Sequence, residues 1–153
     1  MVAVLDRRLP RPRIEGATAS LGAAERQVFA RMAPSDQRHA VRVYARAREV
    51  APGDPHLWRA ALLHDVGKGR PGLVERVALT LLVQWAPWLL LRWRRLDRAT
   101  WRGRLARLAA HTEDSATYAQ LAGSPPEVVE ALRAYGWREH ARGRLLAELD
   151  ALG

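Results

Sequence analysis

An all-α fold, a single compact bundle of about seven to nine helices, is what this chain predicts. Apolar residues recur at three- and four-residue spacing with little period-2 alternation, and proline, glycine and capping residues interrupt them at helix-length intervals. At 153 residues without cysteine, the chain is long enough to bury one core unaided by disulfides.

Residues 1–19 read as an irregular extension. They carry Arg7, Arg8 and Arg11 among prolines, with no continuous apolar stretch, so they do not form a secretion signal and a cytoplasmic location is expected. An amphipathic helix follows over 20–32. Pro34-Ser35-Asp36 opens the next, which carries His39, Val43 and Ala47 on one face, and Pro52-Gly53 breaks it. Asp54 as N-cap and Pro55 in the first turn start a helix through Leu57, Ala60, Ala61 and His64, which Gly67 ends. Residues 73–98 form an apolar, tryptophan-rich hairpin of two short helices that meet at Pro87. Thr100 caps a helix through Leu105, Leu108 and His111. Ser124-Pro125-Pro126-Glu127 reads as a capping box ahead of Val128, Leu132 and Tyr135, and a last helix covers 138–149. His56 and His140 read as surface residues.

The chemistry concentrates in Ala61-Leu62-Leu63-His64-Asp65-Val66-Gly67-Lys68, where a histidine stands beside an aspartate at the end of an apolar helical run. Imidazole nitrogen and carboxylate oxygen both ligate divalent metals, and neighbouring helices can supply further ligands. His39 lies 25 residues upstream of His64, about a helix, a turn and most of a return helix. Without cysteine the donors are nitrogen and oxygen, which favours iron, manganese, magnesium or similar ions over a structural zinc knot.

His39, followed by His64-Asp65 and Val66-Gly67-Lys68, resembles the HD superfamily of metal-dependent phosphohydrolases, over roughly residues 35–150. The resemblance implies an HD-like helical domain over 20–153 and a divalent ion held by His39, His64, Asp65 and a distal aspartate. Asp150 leads for that last position, since it follows the Val128-to-Tyr135 helix and continues the apolar face of Leu145, Leu146 and Leu149; Asp114 and Asp97 are the alternatives. His111-Thr112-Glu113 looks similar to an element of HD-GYP proteins that adds a histidine to a second metal. Tyr135-Gly136-Trp137 stands where that subset carries a His-His pair, and the GYP signature is absent, which argues against a full multinuclear site.

A formal charge of +9 raises the expectation of anionic partners. Lys68 is the only lysine, one helical turn after Asp65 and able to reach a phosphate oxygen near the metal. The expected reaction is hydrolysis of a phosphate mono- or diester, most often nucleotide-derived, by a metal-activated water. Lys68 with Arg42 or Arg70, and His111, would bind the phosphoryl group. A catalytically degenerate module that binds metal or nucleotide and acts through a protein partner is the alternative. Specific nucleic-acid binding rests on net charge alone, with no helix-turn-helix or stacking platform behind it.

Three occupants stay open for the hairpin face at 74–95: the protein's own core, a second copy or other protein partner, and a membrane surface met peripherally by tryptophan, leucine and Arg92, Arg94 and Arg95.

Overall fold

Ten α-helices and one 3₁₀ turn make up the computed structural model, which describes residues 11–68, 73–97 and 99–152, with no strand among them. In chain order they are α1 (Arg11–Thr18), α2 (Ala23–Ala30), α3 (Pro34–Val50), α4 (Pro55–Leu63), the 3₁₀ turn (Val66–Lys68), α5 (Leu73–Trp85), α6 (Pro87–Trp93), α7 (Trp101–Ala109), α8 (His111–Leu121), α9 (Pro126–Arg133) and α10 (Ala141–Ala151). The all-α expectation holds, with more helices than the seven to nine anticipated.

Two differences account for the higher count. Residues 11–18, expected to be irregular, form α1, which packs on α3 and places Ala17 in the core. The expected helix through His111 is two helices, because the chain turns at Ala110 (φ −101°, ψ 21°) and His111 opens α8. No proline or glycine marks that turn.

α3 and α4 pack on each other at the centre, and α9 and α10 close over them. Leu57, Leu62, Leu63, Val43, Val128, Leu132 and Leu146 are fully or almost fully buried there, each contributing about 1.5–3 kcal/mol of burial. Asp54 caps α4 as expected, accepting from the Leu57 N–H at 3.1 Å, and its other oxygen takes Arg142 Nε at 2.6 Å, tying α4 to α10. Ser124 is not the cap of α9. Pro125 is, and the Ser124 hydroxyl instead donates at 2.5 Å to Glu25, a buried carboxylate that also accepts from the Gly22 N–H. His140, expected at the surface, caps α10 through Nδ1, which accepts from the Gly143 N–H at 3.0 Å.

α10 approaches the end of α9 so closely that a Cβ on Gly143 would lie 2.1 Å from the Ala134 carbonyl oxygen. Only glycine fits, and Gly136, at φ +77°, makes the intervening left-handed turn. This crossing brings the C-terminal half of α10 back over α3.

α5, α6 and α7 pack among themselves beside the bundle, with α7 leading into α8. The bend expected at Pro87 is present, since Pro87 opens α6 after Ala86. The core reading of the hairpin fails for its outward face: Val77, Leu81, Trp85, Trp88 and Leu91 are each more than half exposed. Among the described residues no helix is long and apolar enough to cross a membrane.

Candidate metal centre

α4 ends at Leu63, and His64 is its C-cap residue. The helix therefore stops four residues before Gly67, the glycine expected to end it. Gly67 is instead required for packing, because α8 lies so tightly against the 3₁₀ turn that a Cβ there would stand 2.2 Å from the His111 carbonyl oxygen and 2.6 Å from the Ser115 nitrogen. Ser115 is fully buried at this contact. Its hydroxyl donates to the His64 carbonyl at 2.6 Å and accepts the Gly67 N–H at 2.9 Å, pinning both ends of the His-Asp turn to α8.

This packing buries His64 completely and Asp65 almost so. His64 Nδ1 lies 2.8 Å from the Ala61 carbonyl, which can only accept, so Nδ1 carries a proton and Nε2 is the atom turned toward the carboxylates. His111 is fixed in the same way by the Leu108 carbonyl at 3.0 Å. Both Nε2 atoms face Asp65 Oδ1, at 3.4 Å for His64 and 3.5 Å for His111.

His39 arrives from α3, its ring meeting that of His64 edge-on with centroids 5.4 Å apart. One ligand atom each from His39, His64 and Asp65 lies within 4.8 Å of the other two. Asp150 comes from α10, its Oδ1 at 2.6 Å from His39 Nε2 and 3.2 Å from His64 Nε2. Its Oδ2 accepts from the Tyr135 hydroxyl. Of the other aspartates, Asp97 lies in the exposed turn before α7, where Oδ1 accepts from the Ala99 N–H at 2.9 Å. Asp114 lies on α8 against Gly67.

Lys68 Nζ donates to Asp65 Oδ2 at 2.6 Å, and Arg42 reaches His39 Nδ1 at 3.5 Å. Arg70 falls outside the described residues. Tyr135 and Ser115 are partners that sequence reasoning missed. Periodicity puts Tyr135 on the inward face with Val128 and Leu132, and Ser115 follows His111 by one turn, but neither pattern names the atom at the far end.

Charge follows from this geometry. Burial would raise the Asp65 carboxyl, yet His64 and Lys68 outweigh it and hold Asp65 ionised below the usual range. Asp150 is likewise pulled far down against burial by hydrogen bonds from His39 and His64. Burial disfavours the charged form of His64, but Asp65 and Asp150 more than offset this and raise it. Burial and the Lys68 cation lower His111, favouring its neutral form.

Among the described residues, one oxygen of this cluster is unaccounted for by hydrogen bonds. Asp65 Oδ1 is buried and accepts none, and an ionised oxygen stripped of water and donors is costly unless a cation stands beside it. Imidazole nitrogens and carboxylate oxygens around that atom fit a divalent ion, so His39, His64 and Asp65 form a cluster able to hold one.

A family model described as HD domain matches residues 37–152. No curated protein and no solved structure matches the chain. The match covers most of the chain and contains His39, the His64-Asp65 pair and the α10 aspartate, and on that ground the chain belongs to the HD domain family.

Proposed function

We propose that the protein is a metal-dependent phosphohydrolase that cleaves a phosphate mono- or diester, nucleotide-derived in the simplest case. The observation that carries this reading is the buried, donor-less Asp65 Oδ1 facing two imidazole Nε2 atoms, a charge arrangement that calls for a cation. His39, His64, Asp65 and Asp150 are the proposed ligands. A divalent ion bound there supplies Lewis-acid polarisation of a phosphoryl oxygen and lowers the pKa of water toward neutrality.

The chain's own residues supply the rest. Tyr135 holds Asp150 by its outer oxygen and leaves Oδ1 turned to the histidines. Lys68, part exposed, reaches from Asp65 toward solvent, where its ammonium can meet a phosphoryl oxygen. Arg42, one turn beyond His39, adds positive charge on the same side, and neutral His111 offers Nε2 as a hydrogen-bonding or additional ligand group. No covalent intermediate is needed, since positioned cations stabilise the charge that develops on the phosphoryl oxygens.

Tyr135 in place of a His-His pair favours a single principal ion. It also keeps a second reading in view, a module that binds metal or nucleotide and acts through a protein partner. Elemental analysis of the purified protein and of His64→Ala and Asp65→Ala tests the site. Stoichiometric metal in the native chain and its loss in both variants is expected; equal trace content in all three defeats the proposal. Hydrolysis of chromogenic phosphate mono- and diesters with added manganese or iron then separates enzyme from binding module.

A further inference from the structure

The outward face of the α5–α6 hairpin has an unusual composition. On α5, Val77, Leu81 and Trp85 succeed one another at four-residue spacing and so share one stripe; Trp85 is 79% exposed. On α6, Trp88, Leu91 and Arg92 share the exposed side opposite buried Leu90, and Arg95 continues that side just past the helix. Residues 73–96 hold four arginines against one acid, Glu75, which pairs with Arg104 at 2.8 Å; of the four, Arg94 pairs with Glu113 at 2.5 Å. Among the described residues none covers this face, since the hairpin packs inward on α7 and leaves the stripe exposed.

We infer that this face docks on an anionic lipid bilayer, lying in the headgroup layer without crossing it. Two features select lipid. Tryptophan and leucine together suit the boundary between headgroups and acyl chains, where an indole is half wet and half apolar. Arg92 and Arg95 stand on the same face as Trp88 and Leu91, so insertion of the apolar side brings the guanidinium groups to headgroup phosphates. A second copy fits less well, because a two-fold interface would set this arginine-rich patch against itself.

The test uses the full chain and sedimentation with phosphatidylcholine vesicles, with or without phosphatidylglycerol. Binding only to the anionic vesicles, with a blue shift of tryptophan emission and weakening in high salt, is expected. Trp85→Ser with Trp88→Ser should abolish it. Arg92→Ala with Arg95→Ala should weaken it roughly 25-fold, about fivefold for each cation removed near the surface. These side chains are exposed, so helical content should persist; should the tryptophan variant misfold, the arginine variant still decides. No binding to either vesicle, or binding that both variants retain, overturns the inference. So does a dimer that the tryptophan variant splits with no vesicle binding, which makes a second copy the occupant.

Discussion

The Ser115 hydroxyl donates to the His64 carbonyl at 2.6 Å, across a separation of 51 residues, while accepting the Gly67 N–H at 2.9 Å. One side chain thus satisfies two backbone groups that α4 and the 3₁₀ turn would otherwise leave buried and unmet. Ser115→Ala orphans both. A loss of about 2 kcal/mol is expected in urea unfolding, since unmet buried groups cost about 1–3 kcal/mol. A change under a few tenths would show that the contact is not stabilising.

Gly67 should not tolerate a side chain. The atoms a Cβ would meet are backbone of α8 at 2.2 and 2.6 Å, which no rotamer change can move. Gly67→Ala should therefore cost at least about 3 kcal/mol, the upper end of overpacking penalties. Gly16, within α1 and with nothing inside 4 Å of its notional Cβ, is the control: Gly16→Ala should stabilise by up to about 1 kcal/mol. Thermal melting of the two variants checks the contrast.

Tyr135→Phe keeps the ring and removes the hydroxyl that holds Asp150. If Asp150 is a ligand, manganese affinity should fall by about 10- to 100-fold, the usual effect of removing a partner from a metal-bound carboxylate. Isothermal titration of the metal-stripped protein gives the ratio, and an unchanged affinity would remove Asp150 from the ligand set.

Lys68→Ala should retain the metal and lose turnover by about 100-fold or more, if the ammonium acts on developing charge. Metal content and the rate on a phosphodiester are measured on one preparation. Loss of the metal would instead assign Lys68 to holding Asp65 in place.

Asp54 offers a pH test away from the metal centre. Burial would raise its carboxyl, but Arg142 and the Leu57 N–H outweigh burial and lower it below the ordinary value. A depressed folded-state pKa contributes stability above the unfolded-state pKa, and that contribution is lost as pH falls through the folded value. Asp54→Ala should thus cost about 1 kcal/mol near neutrality, as for other N-caps. The gap from the native chain should close below the carboxylate range, and melting curves at neutral and strongly acid pH measure it.

Much of the architecture was legible because its signals are short-range. The Asp54 cap, the Pro87 bend and the inward faces of α3, α4 and α9 follow from spacings of three or four residues. What failed to read also had physical causes. The turn at Ala110 has no breaker residue, and Ser124 carries the local capping pattern yet is claimed by a buried carboxylate 99 positions away. Residues 11–18, low in apolar content, are held as α1 by the core surface of α3.

By itself, then, the sequence determined the helical class, most of the punctuation and the identity of the His64-Asp65 motif, since each is written in neighbours along one turn. Tertiary structure alone decided which atoms meet. Bringing His39 within 2.6 Å of an aspartate 111 residues later depends on α10 crossing α9 over Gly143, an approach no local pattern encodes. The same division holds at the hairpin: periodicity shows that a face is apolar, and only the packed helices show that the face is left to the outside.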